Sequence, residues 1–219
     1  MRLVLSSNSS MNQGSLFNPE PSDRILNVLP KDGCADYYPE IYSELKCAEL
    51  MNHLQQALLW EQDQLVMFGK SVTTRRKVAW VGDPKCAYTY SGVKKQPQEW
   101  TSELLLIKAK LEEIAQSEFN SCLLNLYHDG NDGMGWHSDD EKELNPKSPI
   151  ASLSLGAQRK FAFRHKEDKT TVPLFLENGS VLVMHAPTQQ FWHHSLLKTT
   201  KVSAPRINLT FRKIIHRDE

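Results

Sequence analysis

The hydrophobic period of this chain changes once, near Glu118, and that change limits what it can fold into. Upstream, Ile41, Leu45, Met51, Leu54 and Leu58 recur at helical spacing between Glu40 and about Gln62. A second stripe, Leu104, Ile107, Leu111, Ile114 and Ala115, runs over Ser102–Gln116. Downstream, "SCLLNLYHDG", "SPIASLSLGAQRKFAFRH", "GSVLVMHAP" and "PRINLTFRKI" are short alternating or apolar runs separated by Gly, Pro, Asn and Asp. Strands at this spacing, behind two helices, predict a mostly β fold: an antiparallel sandwich or jelly roll with flanking helices.

At 219 residues the chain suits one well-filled core. Residues 1–22, rich in Ser, Asn, Gln and Pro without periodicity, read as a disordered tail, which leaves 23–219 as a single domain. The next stretch, "RILNVLPKDGCADYYPEIY", mixes a short apolar run with turn residues. Lys plus Arg and Asp plus Glu each number 26, so any polyanion must be held by a local patch rather than by the overall field. Cys34, Cys47, Cys86 and Cys122 contain no C-x-x-C pair, which argues against a zinc ribbon or a disulfide scaffold and suits a reducing interior. With no signal-peptide pattern and no long apolar run, the expectation is a soluble, intracellular protein (bacterial cytoplasm or eukaryotic nucleus) acting as a monomer away from membranes.

Three segments carry candidate chemistry. "GMGWHSDDEKEL" holds His137 and Asp139 two residues apart after a Gly-rich turn. On a strand, i and i+2 share a side, so the two could reach one metal ion or form an ordinary surface pair. In "RINLTFRK", Arg206, Asn208, Thr210 and Arg212 share one face and Ile207, Leu209 and Phe211 the other. Such a polar row suits an exposed strand face, or two arginines holding a dicarboxylate through their guanidinium forks. Asn125 and Tyr127 share a face just before the His-x-Asp turn. "QQFWHHSLLKT" adds His193 and His194, between which alternation alone does not choose. Two histidines and a carboxylate on one face of an iron ion leave three positions open.

The runs "NLYHDGNDGMGWHSDDEKEL", "SPIASLSLGAQRKFAFRHK" and "HAPTQQFWHHSLLKTTKVSAPRINLTFRKI" look like the AlkB family of iron- and 2-oxoglutarate-dependent dioxygenases, and within it the AlkB homologue 2 type and its bacterial relatives. The match reaches back through "VMFGK" and "AYTYSG", covering roughly Leu65 to Ile214. The resemblance implies a double-stranded β-helix (jelly roll) dioxygenase core using Fe(II), 2-oxoglutarate and O2. It implies His137, Asp139 and His194 as iron ligands, with His193 a neighbour. Arg206 would bind the far carboxylate of 2-oxoglutarate, assisted by Asn125 and Tyr127. Arg212 would stand near the chelating carboxylate and keto end, and Asn208 and Thr210 complete the row.

The implied substrate is a base methylated at a Watson–Crick nitrogen, such as 1-methyladenine or 3-methylcytosine, demethylated in DNA with release of formaldehyde. Such bases are cationic and call for aromatic faces and nearby carboxylates. "AYTYSG" offers Tyr88, Thr89 and Tyr90, with Tyr90 as the stacking ring, and Asp140 and Glu141 flank the metal step, with Asp140 as partner of the exocyclic amine. Nucleotide recognition falls to about 65–100. There "VMFGKSVTTRRK" matches a wedge, Phe68 with Gly69 and Lys70, that fills the gap left by a flipped base, while Arg75, Arg76 and Lys77 would grip phosphates. "SVTTRR" stands where the homologue has a proline-containing stretch, a departure from the family pattern. An RNA demethylase, a protein hydroxylase and a catalytically silent nucleic-acid reader are the competing readings.

Overall fold

The computed structural model describes residues 27–67, 70–86, 88–90 and 93–215. The expected tail, residues 1–22, lies outside them, as do Phe68 and Gly69. Two antiparallel sheets form the molecule. The larger runs in the order β1 (Cys34–Tyr38), β11 (Val181–His185), β8 (Ile150–Gly156), β13 (Arg206–Arg212), β6 (Ser121–Tyr127), β3 (Lys70–Gly82), β2 (Glu61–Met67). The smaller runs β10 (Thr171–Leu176), β9 (Arg159–His165), β12 (Trp192–Leu196), β7 (Met134–His137). A two-stranded ribbon, β4 (Tyr88–Tyr90) with β5 (Val93–Lys95), stands apart. This is the expected mostly β, jelly-roll architecture.

Helices α1 (Glu44–Ala57) and α2 (Ser102–Ala115) cover one face of the larger sheet. Ser43 and Thr101 cap them, each hydroxyl accepting an N–H from three residues on, which satisfies a donor the helix leaves unpaired. Gln116, in the left-handed region at φ 49°, ends α2 where the stripe predicts. The first helix is shorter than the spacing suggests, because the chain turns extended at Leu58 and enters β2 at Glu61. Its buried face is Cys47, Leu50 and Leu54, and Leu45, placed on the stripe by sequence, is 80% exposed.

Alternation along the central strands sorts side chains between two cores. Ile207, Leu209 and Phe211 of β13, with Leu153 and Leu155 of β8 and Leu124 of β6, pack beneath the helices. Ile150, Phe161, Phe163, Leu182, Met184, Trp192 and Leu196 fill the space between the sheets. Arg206, Asn208 and Thr210 also face inward and are buried, so the polar row of β13 is not a solvated face. Strand β1 has no clear signature in "CADYY", yet it pairs with β11 along its full length. Among the described residues no helix is long and apolar enough to cross a membrane. α3 is one turn, Thr188–Phe191.

Leu153 is fully buried between the central strands and the helices. Leu153→Ala should cost about 2–5 kcal/mol, read as a lower urea midpoint with an unchanged denaturant slope.

Candidate active site

Strands β7 and β12 pair with His137 opposite His194, and this register chooses between the two histidines. The imidazole centroids lie 4.2 Å apart. His193 points the other way, its strand position opposite Arg164 of β9. Asp139 joins them from beyond the end of β7, so the His-x-Asp step converges through irregular chain rather than along one strand. One ligand atom each from His137, Asp139 and His194 lies within 4.8 Å of the others. His137 Nδ1 is 2.8 Å from the Gly135 carbonyl, to which it donates as the Nδ1–H tautomer; Nε2 then keeps its lone pair and faces Asp139 Oδ1 at 3.7 Å. The donor set fits a ferrous ion: two neutral nitrogens and one carboxylate on one side, the arrangement that leaves positions open for co-substrates.

Several side chains hold this step in place. Arg212 donates Nε–H (3.1 Å) and a terminal N–H (2.7 Å) to Asp139 Oδ2. Gln189 accepts the Asp139 N–H at 2.9 Å, and Ser138 Oγ donates to the Trp192 carbonyl. Buried Arg159 donates to the carbonyls of Asp129, Gly130, Asp132 and Leu197, clamping the loop that leads into β7 against the end of β12. Gly133 is needed for closeness: a Cβ there would sit 2.7 Å from the Leu196 carbonyl. Gln189, Ser138 and Arg159 carry no pattern in the sequence, and only the fold brings them to the site.

A cavity of about 70 Å³ opens between the sheets beside these donors, lined by Asn125, Tyr127, Arg206, Asn208, Thr210 and Arg212 as well as by the His-Asp-His set. Every residue expected to hold the diacid therefore lies around one space. Arg206, 2% exposed, donates to Ser154 Oγ (2.9 Å) and Asn208 Oδ1 (2.8 Å), and its guanidinium carbon lies 5.5 Å from the Tyr127 ring. Asn208 in turn accepts from Ser152 and donates to Thr210. Arg206 Nε and Asn125 Oδ1 have no hydrogen-bond partner among the described residues. No carboxylate of those residues pairs with Arg206, and burial pushes its pKa down to about 10. A buried guanidinium without a counter-ion is costly, and an anionic ligand is what such a cradle lacks. Arg212 lines the same cavity but is paired with Asp139 rather than free for a second carboxylate.

A second opening, about 220 Å³, adjoins the first across Asp139 and Arg212 and is lined by Asp140 and Glu141. Asp140 is exposed, 3.6 Å from Lys166 Nζ. Of the expected phosphate-gripping residues, Arg76 is corrected by the structure: it is 4% exposed and donates to Met134 Sδ, so it is packed inward on β3 rather than presented to a backbone. Arg75 is exposed and paired with Asp129 at 3.1 Å, and Lys77 is half-buried. Lys70 begins β3, and Tyr88, Thr89 and Tyr90 form β4, paired with Lys95, Lys94 and Val93.

Burial and charge set the protonation of the centre. Burial pushes His194 down to about 3, outweighing the opposing pull of Asp139. Burial alone would raise Asp139, but the Arg212 guanidinium beside it holds the carboxyl below its usual range. His194 is therefore neutral and Asp139 ionised near neutral pH, the states in which both ligate metal. In the unfolded chain a histidine titrates near 6.5, so between about 6.5 and 3 the unfolded state binds a proton that the folded state refuses. Stability from this residue is complete above that window and is lost as pH falls through it. In metal-free protein the stability difference between wild type and His194→Asn should shrink as pH drops from about 7 to about 4.5, by urea unfolding. A difference independent of pH would show that His194 is not held neutral by burial.

A sequence model of the 2OG-Fe(II) oxygenase superfamily matches residues 35–212, a span that holds the whole donor set and the Arg206 cradle. The chain is 38% identical over 198 residues to the Mus musculus protein named DNA oxidative demethylase ALKBH2, covering 85% of this chain and 83% of that one. It is 40% identical over 189 residues to the Homo sapiens protein of the same name, covering 81% and 72%. Alpha-ketoglutarate-dependent dioxygenase alkB homolog 3 of Mus musculus is 34% identical over 186 residues, covering 79% and 64%. A solved structure titled "The structure of OsALKBH1" superposes with a TM-score of 0.57 at 18% identity, over 86% of this chain and all of that one, a likeness of fold alone. The AlkB resemblance read from the motifs is borne out, and the chain belongs to the 2OG-Fe(II) oxygenase superfamily as an Fe(II)- and 2-oxoglutarate-dependent dioxygenase.

Proposed function

We propose that this dioxygenase demethylates N-alkylated bases of the 1-methyladenine and 3-methylcytosine type in DNA. The observation that carries the reading is the joining, in one cavity, of the His137–Asp139–His194 donors with a buried, carboxylate-free Arg206. DNA as the substrate is supported by the relatives named DNA oxidative demethylase. With iron bound by the triad, 2-oxoglutarate and dioxygen supply the oxidation that hydroxylates an N-methyl C–H bond and leaves succinate and carbon dioxide. The N-hydroxymethyl product then loses formaldehyde and restores the base.

The protein's share is position and charge. Arg206, with Asn125 and Tyr127 beside it, anchors the far carboxylate of the co-substrate; Asn208 and Thr210 hold Arg206 in orientation. Arg212 keeps Asp139 ionised and turned toward His137. The opening lined by Asp140 and Glu141 receives the cationic base, where a carboxylate favours positive charge and an exocyclic amine. By the family resemblance, Tyr88, Thr89 and Tyr90 supply the stacking side, and Phe68, Gly69 and Lys70 serve as the wedge. Arg75 and Lys77 are the backbone contacts left once Arg76 is set aside, and they make binding salt-sensitive.

Replacing Arg206 by Met should raise the 2-oxoglutarate KM about 100-fold or more with a smaller change in kcat, because the diacid loses a buried charge partner. The substrate assignment is tested by supplying Fe(II), 2-oxoglutarate and oxygen with 1-methyladenine or 3-methylcytosine in duplex DNA, single-stranded DNA and RNA, and measuring formaldehyde. Release from DNA, abolished by Asp139→Ala, is the expected result. Release from RNA alone would reassign the substrate, and succinate without formaldehyde from any oligonucleotide would remove nucleic acid from the reading.

A further inference from the structure

A second cluster of donors lies at the edge of the larger sheet, outside the dioxygenase centre. The β1–β11 register sets Cys34 directly opposite His185, and Asp36, two residues on, shares their face. Cys34 Sγ is 3.9 Å from Asp36 Oδ1, and His185 Nε2 is 3.3 Å from Asp36 Oδ2. One ligand atom from each lies within 4.8 Å of the others. We propose that Cys34, Asp36 and His185 form a second metal site, which takes a divalent cation of the zinc class.

The spacing suits that ion. Bonds of about 2.3 Å to sulfur and about 2.0 Å to nitrogen or oxygen, at tetrahedral angles, put sulfur and oxygen about 3.5 Å apart and nitrogen and oxygen about 3.3 Å apart. The Cys34–Asp36 and Asp36–His185 separations, 3.9 Å to one carboxylate oxygen and 3.3 Å to the other, lie near these values, and all three ligand atoms fall within 4.8 Å of one another, so side-chain rotation has to close the set around one ion. A sulfur, a nitrogen and an oxygen together favour zinc over calcium or magnesium, which take oxygen ligands. Charge also balances: a thiolate and a carboxylate neutralise a dication, and the imidazole stays neutral.

The surroundings support the ligands. The Asn27 N–H donates to Asp36 Oδ1 at 2.8 Å. The buried Thr188 hydroxyl accepts the Cys34 N–H at 2.9 Å and donates to the Cys34 carbonyl at 3.0 Å, which fixes the backbone that carries the thiol. Burial, and then Asp36, raise the Cys34 thiol, so it keeps its proton until a cation displaces it. His185 lines the 220 Å³ opening, which gives an ion a path from solvent. The bound ion joins the edge strand β1 to β11 and leaves the fourth position to water.

Cobalt(II) added to the full chain tests the site, because a thiolate ligand gives a near-ultraviolet charge-transfer band that the sulfur-free iron donors do not. The band should appear in wild type, persist in Asp139→Ala, and vanish in both Cys34→Ser and His185→Asn. Its absence from wild type, or its survival in Cys34→Ser, would overturn the proposal. In unsubstituted protein, zinc should slow iodoacetamide labelling of Cys34 about tenfold and a chelator should restore it, Cys47, Cys86 and Cys122 being buried. Labelling indifferent to zinc would sink the site without recourse to any variant.

Discussion

Strand β13 is the constraint on which the site depends. It sits between β8 and β6, bonded to both, with Ile207, Leu209 and Phe211 under the helices and Arg206, Asn208, Thr210 and Arg212 toward the smaller sheet. A slip of one residue would drive two arginines into the apolar layer and expose three large apolar side chains to the cavity. Hydrophobic burial of one face therefore sets the geometry of the other. The same logic runs through its neighbours: Ser152 and Ser154 alternate with Leu153 and Leu155 on β8, and Asn125 alternates with Leu124 and Leu126 on β6. The catalytic cradle is the polar half of three strands whose apolar halves form the core.

The two arginines of β13 occupy opposite electrostatic situations. Arg212 has a buried carboxylate partner, and although burial opposes it the Asp139 charge raises its pKa. Among the described residues Arg206 meets neutral partners, Ser154, Asn208 and the Tyr127 face, and burial lowers its pKa. One arginine is paired by the protein, and the other is the one that the proposed function assigns to the co-substrate.

Much of this was legible in sequence, for physical reasons. The alternation of "RINLTFRK" and the helical stripe ending at Gln116 are one-dimensional patterns with a direct spatial meaning. The His-x-Asp step and the motif order identified the chemistry; alternation alone left His193 and His194 open, the family resemblance pointed to His194, and the β12–β7 pairing sets it opposite His137. Arg76 misled because a charge in a basic run is ordinarily solvated, whereas this one is packed beside Met134 on a strand inside the sheet. Gln189, Arg159 and Ser138 were invisible because each acts on a backbone group brought near by tertiary structure. Cys34, Asp36 and His185 were equally hidden, since the cysteine and histidine meet only when the edge strand docks.

Arg212 has a further consequence for the dioxygenase centre. Both of its N–H contacts converge on Asp139 Oδ2, while Oδ1 is the oxygen that faces His137. With Oδ2 engaged by two charge-assisted bonds, the carboxylate has one oxygen, Oδ1, that would be offered to a metal. A carboxylate free to bind through both oxygens would occupy a further coordination position, one that a diacid and dioxygen together require. The buried ion pair would thus hold Asp139 to one ligand atom for an iron bound here. It also explains why an arginine whose fork could have held a carboxylate of the co-substrate is aimed instead at a ligand of the metal.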